Sequence, residues 1–356
     1  MRAVAGAHFS EETPLKDMLH WHLRHHPAME SQDITKLYFQ AKLGCGHLLG
    51  DEVLVTRRIT DEEDTLTPCA EELLTEPLGP EYVRLNLRRA MADGIPALWI
   101  ARLMKHSVPA QLPPRSSVID LLADLDIPGL APHIQHLKDD PHWLPSHSEN
   151  YHQAYAPAYR VISRTCADLL PAFIAAARLS TKDHILICID GPCGSGKSTT
   201  AALLGSILDA AVIPMDDFFL PHPAKTPQRL AQPGGNADWE RVVEDIIHPW
   251  LDEKQIVYRP YDCHSGSYAQ AVIVPKKQFT ILEGSYSLMP AISKHADLRI
   301  FLQIDPDTQR KRIHARDGER ILNMFLQRWI PLEQAYFDAY KLPDDSCLVL
   351  SAGTQV

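Results

Sequence analysis

No apolar stretch of this chain approaches the ~18 residues that a membrane-spanning helix needs, so no span is expected. Basic charge is scarce: 35 Lys and Arg stand against 45 Asp and Glu, a formal charge of −10. That balance disfavours a polyanion such as bulk nucleic acid as the main partner, because phosphate contacts need basic surface. A disulfide framework is also missing. Seven cysteines, an odd number scattered along 356 residues, fit reduced thiols in a cytosol better. The opening MRAVAGAHFSEETPLKD lacks the charged start and apolar run of a signal peptide. The expectation is a soluble, cytoplasmic protein. Internal repeats, low-complexity tracts and an H-E-x-x-H pattern are absent as well.

What remains has the composition of a globular chain, 45% apolar and 22% charged. Its length is large for one core, so two domains are expected. The character changes near LSTKDH, at 179–184. Residues 1–180 read as a mainly α-helical domain, with apolar residues at helical spacing in PLKDMLHWHLRHH, DITKLYFQAKLGCGHLL, IPALWIARLMKHS, SSVIDLLADLD and GLAPHIQHLKDD. YVRLNLR at 82–88 alternates as a short strand does, and the run from HSENYHQAYAPAYR to about 179 reads as a long helix interrupted near Pro157. Residues 181–356 alternate short apolar strands (ILICID, AAVIPM, VIVP, FTILEG, LRIFLQID, CLVLSA) with helical segments. That alternation predicts an α/β fold with a mostly parallel sheet flanked by helices and ligands at the carboxyl ends of strands.

The sharpest signal is GPCGSGKST. Gly191, Cys193, Gly194, Ser195, Gly196, Lys197, Ser198 and Thr199 lie in a G-x-x-x-x-G-K-[ST] pattern between a strand and a helix. Glycines let the backbone turn several N–H groups toward phosphates, and the following helix adds its positive end. Lys197 is the candidate cation for the β and γ phosphates, and the Ser198 hydroxyl the candidate Mg²⁺ ligand, so ATP and Mg²⁺ are the expected cofactors.

Four further stretches fall where later strands end. Asp216 and Asp217 follow AAVIPM; a carboxylate there could take a proton from an acceptor hydroxyl and face the metal, or could simply start a solvated loop. Asp238, before Trp239, could bind substrate or cap a helix. Tyr258, Tyr261, Asp262 and His264, with Arg259, cluster in a loop suited to a flat or polyhydroxylated ligand. Glu283 ends FTILE at a metal-facing position. Arg310, Arg312, Arg316 and Arg320 share one segment; Arg312 and Arg316, one turn apart, are the preferred pair to close over a transferring phosphate, against the plainer reading of a solvated face.

Together these residues resemble the uridine kinase-like branch of P-loop kinases, which includes phosphoribulokinase and pantothenate kinase. The resemblance covers residues 184–340 and rests on GPCGSGKST, Asp216-Asp217-Phe218-Phe219 as D-x-F-[FY], Tyr261-Asp262, Glu283-Gly284 and the arginine-rich helix. It implies Asp216 as general base, the Tyr-Asp loop on the substrate, Glu283 assisting the metal and lid arginines on phosphate. The run CHSGSY departs from the family's nucleoside-gripping His and Arg. The implied activity is ATP-dependent phosphoryl transfer to a hydroxyl of a small metabolite, with a nucleoside first and a sugar, sugar acid or vitamin-like alcohol second. A nucleotide-hydrolysing switch, its N-terminal half binding a partner, is the alternative of another class.

Twelve of eighteen histidines precede residue 184. His22 and His26, four apart, could share a metal, but a polar helix face is the plainer reading. The tyrosines of NYHQAYAPAYR read as packing between the domains rather than binding ligand, and Cys45 and His47 as parts of a loop or helix end. Shaping the acceptor pocket, forming a homodimer and sensing a metabolite are all open to this half.

Overall fold

The computed structural model describes residues 15–45, 51–125, 127, 129–140, 143–263 and 265–351. The chain divides into two compact units, Met1–Leu170 and Pro171–Val356.

In the first unit, helices such as Leu15–His25, Ser31–Leu43 and Ala97–His106 surround a three-stranded antiparallel sheet. Its strands are β1 (Thr75–Leu78), β2 (Tyr82–Asn86) and β3 (Tyr159–Ser163), with β2 in the middle. The alternating run at 82–88 is thus a strand, but the long helix expected across Pro157 is not formed. A helix spans Glu149–Tyr155 and stops at Ala156, whose φ is 40°. Pro157 has no N–H to continue it, and the β-branched Val161 and Ile162 pair with Arg84 and Val83 of β2 instead. Ser163 then caps the next helix, accepting from Cys166 N at 3.2 Å.

The second unit is built on a five-stranded sheet, every pair parallel. Its strands are β4 (Ile185–Asp190), β5 (Ala211–Pro214), β6 (Phe279–Glu283), β7 (Leu298–Gln303) and β8 (Leu348–Ser351), ordered β8-β7-β4-β6-β5. Every residue of β4 and β6 is buried, which accounts for their near-continuous apolar sequences. The central strand β4 lies between β6 and β7, so the chain leaves in different directions on its two sides. Such a switch point opens a crevice outside the carboxyl ends of the strands. VIVP does not join this sheet. Val272–Ile273 pairs with Val257–Tyr258 in an antiparallel ribbon, where Ile273 is 69% exposed. Two residues in so open a position cannot bury enough apolar area to compete for the sheet.

Candidate active site

The turn after β4 is set by close packing. Gly191 has φ 143°, and a Cβ there would sit 2.4 Å from the Leu302 carbonyl oxygen on β7. Gly194 and Gly196 also have positive φ, 76° and 90°, and the helix Lys197–Leu208 begins right after Gly196. Nothing lies within 4 Å of a Cβ built at Gly196, so the loop opens there onto free space. Lys197 Nζ folds back to donate to Gly191 O at 2.7 Å and Pro192 O at 3.1 Å. The Ser195 hydroxyl is buried without a hydrogen-bond partner among the described residues. An orphaned hydroxyl inside a glycine turn at a helix N-terminus suits a phosphate oxygen.

Residues outside the glycine motif brace the loop, among them Arg312 of the expected lid pair. Asp190, fully buried, accepts from Gly191 N at 2.7 Å, Leu288 N at 3.0 Å and the Tyr336 hydroxyl at 2.9 Å. Glu333 accepts from Cys193 N at 2.9 Å and the Ser285 hydroxyl at 2.7 Å. Gln309 donates to Cys193 O at 2.8 Å, and Arg312 to Gly194 O at 3.3 Å. An acid ending the apolar run ILICID could have drawn attention to Asp190. Glu333 and Gln309 sit in helical stretches that carry no such cue.

Register then aligns the carboxyl ends of three strands. Glu283 pairs with Ile189 of β4 on one side and Pro214 of β5 on the other. Glu283 is 7% exposed, and its Oε2 lies 3.3 Å from the Ser198 hydroxyl, which donates to it. Asp216 follows β5 in the 3₁₀ turn Met215–Phe218 and still reaches solvent. Desolvation in the crevice raises the Asp216 carboxyl above its usual range; Lys197 and Arg316 oppose it, and Asp217 and Glu333 add to it. Desolvation raises Glu283 too, with the Ser198 hydrogen bond and Lys197 opposing and Asp216 reinforcing it. Lys197, Ser198, Asp216 and Glu283 thus converge on one crevice. The C-terminal unit has the P-loop NTPase fold.

The other expected site residues are placed less uniformly around this P-loop. Arg316 is exposed, holds Asp317 at 2.7 Å and acts on Asp216 through its charge. Gly318, φ 78°, breaks the helical path of Pro306–Met324 just beyond it. Asp217 accepts from the Tyr258 hydroxyl at 2.7 Å, so these two carry an internal tie. Asp238 caps the helix starting at Trp239, accepting from Arg241 N at 3.3 Å. Tyr261 is 4% exposed and accepts from His222 N at 3.3 Å, whereas Asp262 is exposed. His264 lies outside the described residues. Arg241, which the sequence did not single out, donates to Asp217 O at 2.7 Å and lies 4.5 Å over the Phe218 ring, fastening the loop behind Asp216.

In the N-terminal unit, His22 is fully buried and not part of a polar surface, with Nε2 2.7 Å from Pro77 O. Burial, chiefly, pushes its imidazole down to about 3. Among the described residues no group of three or more His, Cys, Asp or Glu could hold a metal. Cys45 is buried and donates to Met104 O at 3.3 Å; His47 lies outside the described residues. No described helix is long and apolar enough to cross a membrane.

No family model matches the chain, and no curated protein does. Solved structures of uridine kinase-like and related P-loop kinases are similar to about half of it. One is a possible uridine kinase from Bacillus stearothermophilus, 16% identical, covering 50% of this chain and 96% of that one, TM-score 0.40. Another is a candidate fructose transport system kinase from a Silicibacter species, 22% identical, covering 50% of this chain and 98% of that one, TM-score 0.41.

Proposed function

We propose that the C-terminal unit is an ATP-dependent phosphotransferase that moves the γ-phosphoryl group to a hydroxyl of a small metabolite. One observation carries the reading: Asp216, a carboxylate without a hydrogen-bond partner among the described residues, shares a crevice with the loop cation Lys197 and the Ser198–Glu283 pair. A base at that point suits a bound hydroxyl as acceptor, with water as the competing nucleophile that the test below separates.

Backbone N–H groups of residues 194–199 and the start of the following helix hold the phosphates, and Lys197 leaves its carbonyl partners to meet the β and γ oxygens. Ser198, Glu283 and Asp216 offer oxygen donors alone, the set that a Mg²⁺ ion takes. Bound there, the ion would neutralise charge between the β and γ phosphates. Asp216, its affinity for protons raised by desolvation, accepts the proton of the acceptor hydroxyl as its oxygen bonds to the γ-phosphorus and the bond to the β-bridging oxygen breaks. Arg316, already within electrostatic reach of Asp216, steadies the transferring group. Positioning and electrostatics supply most of the rate in such transfers.

The test is ATP consumption with a panel of nucleosides, sugars, sugar acids and vitamin-like alcohols, read by mass spectrometry for a product heavier by one phosphoryl group. Asp216→Asn should retain ATP binding and lose about 10²–10⁴-fold in transfer. ATP hydrolysis unaffected by every alcohol, with Asp216→Asn as active as the parent chain, would instead identify a hydrolytic switch.

A further inference from the structure

The N-terminal unit buries a polar cluster between the helix Ser31–Leu43, strand β2 and the segment His147–Tyr159. Asp33 is its fully buried acid. It accepts four hydrogen bonds: from Glu30 N at 2.9 Å, Ser148 N at 2.9 Å, the Ser148 hydroxyl at 2.7 Å and His147 Nδ1 at 2.8 Å. His147 Nε2 lies 2.6 Å from the Tyr159 hydroxyl, which also reaches Gln40 Oε1 at 3.3 Å. The negative charge of Asp33 is fully engaged.

The cations beside it are not. Arg84 heads the largest side chains buried completely, at 0% exposure. Its guanidinium lies 4.3 Å over the Tyr159 ring, donates to Gln40 Oε1 at 2.9 Å and reaches the Tyr151 hydroxyl at 3.5 Å. Its ion pair with Glu76 is long, 3.9 Å, and Glu76 also faces His26 at 3.4 Å. Arg84 Nε has no hydrogen-bond partner among the described residues, and neither has Nδ1 of His22 or of His26. Lys36, half-buried and near Asp33 in the same helix, makes no hydrogen bond or ion pair among the described residues. Burial and the neighbouring Arg84 pull its ammonium down to about 8, Asp33 offsetting them in part.

A desolvated guanidinium with an open donor, beside an ammonium that no carboxylate oxygen contacts directly, is costly. Both groups recognise anionic oxygens, Arg as a fork and Lys as a point charge. The cluster is also open at its rim, where the Glu76 side chain keeps 24% exposure and His26 12%. We propose that Lys36 and Arg84 form a binding site for a small anion bearing a phosphate or carboxylate group, with Gln40 and Tyr159 as its neutral hydrogen-bonding wall. The site shares no residue with the P-loop and does not depend on phosphoryl transfer.

Calorimetric titration of the full chain tests it, in a Lys197→Ala background that weakens phosphate binding at the P-loop, with the Lys36-dependent part of the signal as the readout. Inorganic phosphate and malonate are titrated separately. One saturable event is expected, with the tighter of the two anions assigning the group. Lys36→Gln should weaken that event by about tenfold or more, the scale of losing one partner of a desolvated charge pair. Because Lys36 has no hydrogen bond or ion pair to forfeit among the described residues, the variant should unfold no earlier than its parent on heating, which separates lost affinity from lost fold. Absence of binding by both anions, or a Lys36→Gln chain that binds as tightly as its parent, overturns the proposal.

Discussion

Asp33 in the N-terminal unit and Asp190 in the C-terminal unit are both fully buried, and both accept several hydrogen bonds, yet their protons are held in opposite ways. Burial raises either carboxyl. At Asp33 the hydrogen bonds from Glu30, Ser148 and His147 outweigh it and the carboxyl is held below its usual range. At Asp190 burial wins over Lys197, Leu288, Gly191 and Tyr336, and the carboxyl is pushed up to about 6. One acid is the settled anion of a buried polar cluster. The other is a strand-end acid close to neutrality, placed to pin a glycine turn. Donor number against desolvation decides which behaviour a buried acid shows.

Breaking the turn that Asp190 pins should have the largest effect on stability. Gly191→Ala drives a methyl group into the Leu302 carbonyl at 2.4 Å and is expected to cost about 3 kcal/mol or more. Gly196→Ala meets nothing within 4 Å and should cost about 1 kcal/mol of backbone strain alone. Urea unfolding of both variants checks the difference.

The two acids themselves should separate by pH. The folded chain keeps the Asp190 proton up to about 6, where an unfolded Asp releases it near ~4, so this group lowers stability as pH rises through that window. Asp190→Asn should flatten that fall. Asp33 works the other way: its contribution is complete above the ordinary carboxylate value and drains away as pH drops below it. Asp33→Asn should remove that acid-side loss and cost about 3 kcal/mol at neutral pH, by leaving donors without their anion. Equal slopes for the two variants in unfolding measured from pH 3 to 8 would erase the contrast.

The smallest effect is expected where the loops behind Asp216 are tied together. Asp238→Ala removes a helix cap and should cost about 1 kcal/mol without changing the acceptor KM. A KM raised severalfold at unchanged stability would move Asp238 from the scaffold to the substrate.

Much of the C-terminal unit was legible in the sequence because its signals are local. ILICID, FTILEG, LRIFLQID and CLVLSA are apolar runs of strand length, and all four form strands of the sheet. GPCGSGKST needs glycines at fixed offsets whatever surrounds it. VIVP misled because an apolar run does not reveal which sheet it joins. In the N-terminal unit YVRLN was readable by alternation, while β3 was hidden behind Pro157 in what resembles a helical run. Of the tyrosines of NYHQAYAPAYR, Tyr151 and Tyr159 lie against the buried Arg84 within the N-terminal unit.

The sequence by itself determined the glycine turn, the strand that feeds it and the acids after the later strands, since each depends on neighbours within a few residues. Only the tertiary structure decided that Glu283 stands between Ile189 and Pro214, that Glu333 holds Cys193 across 140 residues, and that Arg84 is buried with a donor to spare. Strand order and burial arise from which surfaces leave water together, and that choice is made between segments far apart in the chain.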